Sequence, residues 1–190
     1  MAAPGYVIHR DKFDQALASA AADAGAHVLL GHCVLGREGG QGSCIMLSTP
    51  TGGMISIKAK VVIGADGPHS RVAQWVGLGN THCLPSIQVR LPLRKTLEHT
   101  CIYFDESITA GYAWLFPKGD VANVGLGMLR QRHTPGLRRV LRRFVRGLSA
   151  LGLVYDEPLS FTGGWIPAGP PRPCVSGDIL LAGDAAGHTH

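Results

Sequence analysis

The 190-residue sequence lacks several features that mark whole classes of protein. No apolar run reaches the roughly 18 residues that a membrane-spanning helix needs, and no signal peptide is predicted at the start of the chain. The five cysteines form no Cys-x-x-Cys pair, and neither they nor the histidines follow a metal-ligand spacing, so no metal site is predicted and a reducing cytosol is favoured. With 45% hydrophobic and 16% charged residues, the composition predicts a folded globular protein.

Acidic residues are missing between Leu129 and Gly147, although arginines are frequent there. Apolar residues recur in this region at helical spacing, which predicts a helix over 135–151 with its arginines largely on the opposite face. Such a helix is most often a solvated face above a core. It also suits peripheral contact of Arg130–Arg146 with an anionic membrane, or with a phosphorylated substrate. Nucleic acid is not an expected partner, because the sequence contains no recognised nucleic-acid-binding module.

Two distant segments share one local design. In each, a short β-branched run ends in an acidic residue and small turn residues: 60–65 before Asp66 and Gly67, and 178–182 before Gly183, Asp184 and Ala185. Such runs predict strands of a covered parallel sheet, and a carboxylate on the following turn lies at the carboxyl edge, where open α/β folds bind ligands. Either segment alone also fits an ordinary strand–turn–helix corner. Together they predict that Asp66 and Asp184 lie side by side along one edge.

The rest of the chain predicts an α/β part that is interrupted by a mostly antiparallel β part. Helices are predicted over 10–24 and 68–76, and strands over 26–35, 43–48, 54–58, 87–93, 100–104, 112–116, 121–128 and 159–166. We expect domain boundaries that assign 1–80 and 167–190 to the α/β part and 81–166 to the β part. No Gly-x-Gly-x-x-Gly follows an opening strand, so we expect a fragment without its first βαβ unit and its C-terminal part.

Aromatic residues make up only 6% of the chain, yet three alternate along one predicted strand: Tyr112, Trp114 and Phe116. Alternating residues of a strand share a face, and an aromatic face is more often core than pocket. Here we expect Pro117 to break the strand, and Gly125 and Gly127 to lie on the paired strand opposite the rings. Glycines opposite large rings would leave a groove for a long apolar ligand.

Four segments follow one another as in a known flavoprotein family. They are the helix start at 7–17, an Asp-Gly motif at 64–72, a Tyr-x-Trp-x-Phe-Pro signature at 112–117 with Gly-x-Gly at 125–127, and a Gly-Asp motif at 182–187. Together they resemble the geranylgeranyl reductase family of the p-hydroxybenzoate-hydroxylase-like, FAD-dependent oxidoreductases. The resemblance implies a partial Rossmann-like FAD-binding domain, interrupted by a substrate-binding β-sheet domain with one basic helix.

The resemblance also implies FAD as cofactor, reduced by NAD(P)H or another donor. It places Asp184 at the ribityl chain with Gly183 and Ala185, Arg10 at the ribityl-pyrophosphate, the Val34 backbone at the adenine, and Asp66 and Gly67 in the loop near the cofactor. It places an apolar prenyl substrate against Tyr112, Trp114, Phe116, Pro117, Gly125 and Gly127. From the residues alone, Arg10 also fits a surface position on its helix, and Val34 fits a plain strand core.

The activity that the resemblance implies is reduction of carbon–carbon double bonds of a geranylgeranyl-type substrate, with no catalytic acid assigned. One alternative is an aromatic monooxygenase of the same fold, and another is a non-catalytic, incomplete remnant. Because the phosphate-binding loop is missing, we expect the 190 residues alone to bind FAD weakly or not at all, and to be inactive. The expected location is the cytoplasm, with peripheral membrane contact through the basic helix.

Overall fold

The computed structural model describes residues 6–38, 43–129, 136–170 and 172–188, which divide into two compact units. The first, here called the sheet unit, contains His82–Ala168 and the described residues before His9. The second, here called the corner unit, contains the described residues of His9–Thr81 and Gly169–His190. The mixture of helices with mostly antiparallel strands confirms the predicted fold class.

The helices and strands alternate irregularly along the chain. In order they are α1 (Arg10–Asp23), β1 (Cys33–Glu38), β2 (Ser43–Ser48), β3 (Met54–Ala59), β4 (Val62–Gly64), α2 (Arg71–Trp75), β5 (Cys83–Pro92), β6 (Cys101–Tyr103), β7 (Tyr112–Lys118), β8 (Val121–Gly127), α3 (Leu137–Ala150), β9 (Ser160–Pro167), β10 (Val175–Ser176) and β11 (Ile179–Leu181), followed by a 3₁₀ helix at Gly183–Ala186. No helix of the described residues combines the length and the apolar character of a membrane span.

The corner unit holds two small sheets. One is the antiparallel meander β1-β2-β3, and the other has the order β10-β11-β4, in which β11 and β4 run parallel. Helix α2 packs on this second sheet through Val72 and Ala73. A Cβ atom on Gly64 would lie 2.7 Å from Cβ of Val72, so only glycine lets α2 come this close to β4.

The start of β11 is connected to the meander by charge and hydrogen bonds. Arg37 of β1 contacts Asp178 at 2.6 Å between Nη2 and Oδ1, and the buried Ser43 hydroxyl donates to Oδ2 of Asp178 at 2.5 Å. The hydrogen bond from Ser43, and to a smaller extent the charge of Arg37, lowers the pKa of Asp178 below its ordinary value. The interaction therefore joins residues that are far apart in the chain within one unit.

The sheet unit is a five-stranded antiparallel sheet in the order β6-β7-β8-β5-β9, with α3 packed on one face. Alternate residues of β7 and β8, including Leu115 and Val124, are completely buried there against Val140 and Leu141 of α3. The helical spacing of apolar residues in the sequence thus predicted the buried side of α3 correctly. The helix begins at Leu137, and the more distant arginines of the basic stretch, Arg130 and Arg132, lie outside the described residues.

Two strand predictions were wrong. The strand expected over 26–35 begins only at Cys33, because Gly31 has a φ of +69° and turns the chain directly before it. Pro117 does not break β7: it pairs with Ala122, and the strand continues to Lys118. Strand β6 pairs only with residues 113–115 of β7, so the missing N–H of Pro117 lies beyond that ladder and removes no hydrogen bond from it.

Candidate functional site

The parallel pairing of β4 and β11 brings the two acidic corners together. Gly64 pairs with Leu181, and the backbone N–H of Ala182 donates to the carbonyl of Gly64 at 2.9 Å. Asp66 and Asp184 follow these strand ends by two and three residues, so they emerge at the same carboxyl edge. The adjacency expected from the sequence is confirmed by this register.

Asn80 connects the two corners, and the sequence reasoning missed it. Its Nδ2 donates to the carbonyl of Pro68, in the first corner, and to the carbonyl of Asp184, in the second, each at 2.8 Å. An asparagine in a loop carries no recognisable sequence signal for such a role, because its partners lie 12 and 104 positions away in the chain. The contact holds the two turns at a defined separation.

The Asp66 carboxylate is used within its own corner. It accepts hydrogen bonds from the Ser70 hydroxyl at 2.5 Å and from the backbone N–H of Arg71 at 2.8 Å and of Val72 at 3.4 Å. Ser70 in turn caps α2 by accepting from the N–H of Ala73 at 2.9 Å. Asp66 thus ties the loop, which turns at Gly67 with a φ of +85°, to the start of α2.

The Asp184 carboxylate is exposed, and within the described part of the chain it has no hydrogen-bond or ion-pair partner. Its backbone is fixed in the 3₁₀ helix, where the next residues, Ala185 and Ala186, are buried. Gly183, immediately before it, has a φ of +57°, and no atom lies within 4 Å of the position that a Cβ would take. The corner therefore presents, on a fixed backbone and beside open space, an acceptor that no residue in the described ranges uses.

Arg10 and Val34 lie in the same unit as these corners. Arg10 begins α1 and forms an exposed ion pair with Asp14 at 3.0 Å. The hydrogen bond and charge of Asp14 raise the pKa of Arg10, and the charge of Asp184 is a smaller cause in the same direction. The carbonyl of Val34 accepts from Nη1 of Arg71 at 3.0 Å, which connects β1 to the start of α2.

The aromatic residues of β7 form a row on the face of the sheet opposite α3. The rings of Tyr112 and Trp114 are 6.0 Å apart in an edge-to-face arrangement, and those of Trp114 and Phe116 are stacked at the same separation. Trp114 lies opposite Gly125, and Tyr112 lies opposite Gly127, as the sequence predicted. The three rings form one continuous aromatic wall.

The glycines opposite the wall do not leave the groove that was expected. A Cβ on Gly125 would lie 2.5 Å from the indole ring, and one on Gly127 would lie 3.2 Å from Cδ1 of Ile166. The space is filled by the protein's own side chains, and Trp114 is consequently only 8% exposed. Glycine at 125 is needed so that the indole can lie flat on β8.

Gln88 of β5 fixes the orientation of the indole, and this role was not foreseen. The indole N–H of Trp114 donates to Oε1 of Gln88 at 3.0 Å, and Nε2 of Gln88 donates to the Thr162 hydroxyl at 3.4 Å. Gln88 and Thr162 lie on the neighbouring strands β5 and β9, whereas Trp114 of β7 reaches Gln88 across Gly125 of β8. Only the strand register reveals this polar row beneath the aromatic wall.

No group of three or more histidine, cysteine or acidic side chains among the described residues is arranged to hold a metal ion. His190 lies outside the described residues. The groups that the corner unit offers for binding are therefore a carboxylate without a partner among the described residues, the guanidinium of α1 and two glycine turns. Those of the sheet unit are an apolar aromatic surface with a few hydrogen-bonding groups.

Two family models match the chain. Residues 4–104 match the family described as FAD binding domain, and residues 86–158 match the geranylgeranyl reductase catalytic domain. Digeranylgeranylglycerophospholipid reductase 1 of Methanothermobacter thermautotrophicus is 34% identical over 194 residues, an alignment that covers 98% of this chain and 48% of that protein. The chain thus spans about half the length of the curated relatives that it matches.

Solved structures agree with these family matches. A geranylgeranyl bacteriochlorophyll reductase-like protein from Thermoplasma acidophilum aligns with a TM-score of 0.84 and 30% identity, over 98% of this chain and 50% of that one. An anhydrotetracycline hydroxylase from Streptomyces rimosus aligns with a TM-score of 0.64 at 19% identity, over 94% of this chain and 37% of that one. The second likeness shows a shared fold only.

Proposed function

Since the chain belongs to the geranylgeranyl reductase family of FAD-dependent flavoproteins, we propose that the protein containing it reduces carbon–carbon double bonds of a prenyl substrate with bound FAD. The curated relatives are named digeranylgeranylglycerophospholipid reductases, so the proposed substrate is a lipid that carries geranylgeranyl chains. The observation that carries the proposal is the pair of adjacent corners on β4 and β11, one of which presents a carboxylate that no described residue pairs with.

The corner unit has the features that a bound FAD requires. An ionised carboxylate is a strong acceptor for a sugar hydroxyl, and Asp184 has both of its oxygens free for the ribityl chain among the described residues. Gly67 and Gly183 both have open space where a side chain would otherwise stand, so a ligand can approach their backbone. Arg10 supplies a positive charge toward the pyrophosphate, and we assign the backbone of Val34 to the adenine end.

When bound, FAD supplies the electron-transfer chemistry, and the protein supplies position and exclusion of water. We assign Asp66 and Gly67 to shaping the loop next to the cofactor, because the hydrogen bonds of Asp66 fix that loop to α2. Gly183 and Ala185 hold Asp184 in its turn. The electron donor that we propose is NAD(P)H or another reduced carrier.

The aromatic wall of the sheet unit is the proposed contact surface for the prenyl chain. Tyr112 and Phe116 present apolar surface, and the largely buried Trp114 supports both rings from between them, held in its orientation by Gln88. Gly125 and Gly127 contribute by accommodating Trp114 and Ile166, and Pro117 extends β7 beyond the rings. A preformed flat surface suits an extended chain without polar groups, because its burial requires no hydrogen-bond partners.

The test is to express the complete protein that carries this chain and to record its visible spectrum. We expect a yellow protein that, with a chemical reductant under anaerobic conditions, adds hydrogen to a geranylgeranyl lipid, as mass spectrometry of the product will show. Oxygen consumption with hydroxylation of an aromatic compound would instead establish the monooxygenase alternative. A colourless protein that takes up no flavin would support a non-catalytic remnant.

The 190 residues by themselves are expected to bind FAD weakly, because they contain no Gly-x-Gly-x-x-Gly turn for the pyrophosphate. Fluorescence titration of the purified chain with FAD measures this affinity directly, and sub-micromolar binding would contradict the expectation. We propose a cytoplasmic location for the protein, since thiols such as Cys33 and Cys44 stand without a disulfide.

A further inference from the structure

Helix α3 carries a surface that the proposed function does not use. Val140, Leu141, Val145 and Leu148 on its apolar side are buried, whereas every charged residue on its opposite side is an arginine. These exposed arginines are Arg138, Arg139, Arg142, Arg143 and Arg146. No acidic residue occurs in the helix. Because arginines four positions apart repel one another, the surface is unfavourable to the isolated helix.

Most of this charge is not neutralised within the unit. Arg143 pairs with Asp105 at 3.1 Å and also donates to the Ser107 hydroxyl. The other four arginines of the helix form no ion pair with any carboxylate in the described ranges. A helix face that serves only to keep a protein soluble usually mixes both signs of charge. The observed pattern points to an anionic partner.

An apolar groove lies directly beside the arginines. One side of the groove is lined by the arginine row Arg138, Arg142 and Arg146. The other lining residues include Val89, Val145 and Phe161 of β9. The groove has a volume of about 440 Å³. Asp156 also lines it, and is the one acidic side chain there among the described residues. The surface thus combines positive charge with accessible apolar area.

Strand β9 extends the apolar part of this surface. Phe161 pairs with Val89 and Trp165 pairs with Pro85, so both side chains point to the face of the sheet on which α3 lies. Phe161 is 62% exposed and Trp165 is 48% exposed. Exposed aromatic side chains next to a basic helix are the combination found where proteins lie in the headgroup region of a bilayer.

We propose that the exposed face of α3, together with Phe161 and Trp165, docks on the surface of an anionic lipid bilayer. The arginines contact lipid phosphates, and the aromatic side chains enter the boundary between headgroups and acyl chains. The apolar component favours a bilayer over nucleic acid, to which binding would be mainly electrostatic. The proposal is independent of the proposed function, because it concerns a different surface and requires neither flavin nor substrate.

Vesicle flotation of the purified protein tests it. We expect binding to vesicles of phosphatidylcholine with added phosphatidylglycerol, and little binding to phosphatidylcholine alone. Replacing the arginine row of the groove in the triple variant R138Q/R142Q/R146Q should lower the partition coefficient about 100-fold. Each arginine near an anionic surface contributes about fivefold to that coefficient. The variant Phe161→Ala, which keeps every charge, should lower it several-fold.

The matched control is K58Q/K60Q/K95Q, which removes three exposed positive charges elsewhere and should leave vesicle binding nearly unchanged. Circular dichroism confirms that each variant is folded. Equal binding to neutral and anionic vesicles, or equal loss in the lysine control, would overturn the proposal. So would binding to duplex DNA that competes fully with the vesicles and is insensitive to Phe161→Ala, because the surface would then be a nucleic-acid site.

Discussion

Asp66 and Asp184 stand at the ends of neighbouring parallel strands, and each lies next to a glycine with positive φ. In the first corner the carboxylate accepts three hydrogen bonds from Ser70, Arg71 and Val72 and thereby holds the start of α2. In the second, the carboxylate has no partner among the described residues, while the backbone around it is fixed by buried alanines. The difference teaches that one local design can hold a fold together in one place and offer a binding group in another.

The comparison also separates two uses of small residues. Position 64, at the end of β4, requires glycine because α2 occupies the space that a side chain would need. Gly67 and Gly183 are small where the space in front of them is open. A substitution should therefore damage stability at the first position and ligand approach at the other two.

The largest effect is expected for Gly64→Ala. The new methyl group would lie 2.7 Å from Cβ of Val72 and must push α2 away from the sheet, which should destabilise the corner unit by about 2–3 kcal/mol. Urea unfolding followed by far-ultraviolet circular dichroism measures the change. As a control, Gly67→Ala has room for its methyl group and should cost only about 1 kcal/mol for its left-handed backbone.

The second-largest effect on stability is expected for Asp66→Ala. This variant, compared with Asp184→Ala, tests whether the two corners are used differently. Loss of the carboxylate leaves the hydroxyl of Ser70 and the N–H of Arg71 without their acceptor, and should lower the free energy of unfolding by about 1–2 kcal/mol. Asp184→Ala should change it by less than about 0.5 kcal/mol, since no contact is lost. Equal destabilisation by both variants would show that the two corners are not used differently.

For the affinity for FAD, we expect Asp184→Ala to have a larger effect than Asp66→Ala, the reverse of the order expected for stability. In the complete protein, Asp184→Ala should weaken FAD binding about tenfold through loss of one charge-assisted hydrogen bond, as measured by flavin fluorescence. Asp184→Glu should recover part of the affinity. If FAD binding is unchanged in Asp184→Ala, this corner does not hold the ribityl chain.

A smaller effect is expected at the other end of β11, where Asp178 contacts Ser43 and Arg37. Because the folded pKa of Asp178 lies below its ordinary value of 3.8, the unfolded chain binds more protons in that range. The stabilisation is present above about pH 4 and is lost as the pH falls through the folded pKa.

Urea midpoints measured between neutral pH and pH 3 should therefore fall less steeply in Asp178→Asn than in the original protein. Ser43→Ala removes the largest cause of the shift and should also flatten the dependence. An identical pH dependence in all three proteins would show that the Asp178 contacts contribute nothing to stability.

Much of the fold followed from local patterns in the sequence. Strand β2 has the bounds that its pattern predicted, and the basic helix and the aromatic strand β7 occur where periodicity placed them. The errors arose where a single residue was given too much weight or too little. Pro117 did not end its strand, since it pairs with Ala122 of β8 and lies beyond the part of β7 that pairs with β6, and Gly31 delayed β1 by several residues.

The candidate site was predictable in part. The adjacency of the corners and the pairing of Trp114 with Gly125 followed from strand order and spacing. The groove expected at Gly125 was wrong, because the indole itself fills that space. Gln88 and Asn80 were missed, since their importance depends on partners that the sequence does not bring near.

The sequence by itself determined that two acidic turns follow two buried strands, that one helix is basic on a single side, and that three rings alternate on a strand. These features depend on neighbours a few positions apart, and their periodicity is visible in the chain. Only the tertiary structure decided that Asn80 joins the two corners, that Asp184 finds no partner among the described residues, and that Gln88 holds Trp114. Hydrogen-bond partners and free space are set by strand register and packing, which bring together residues distant in the chain.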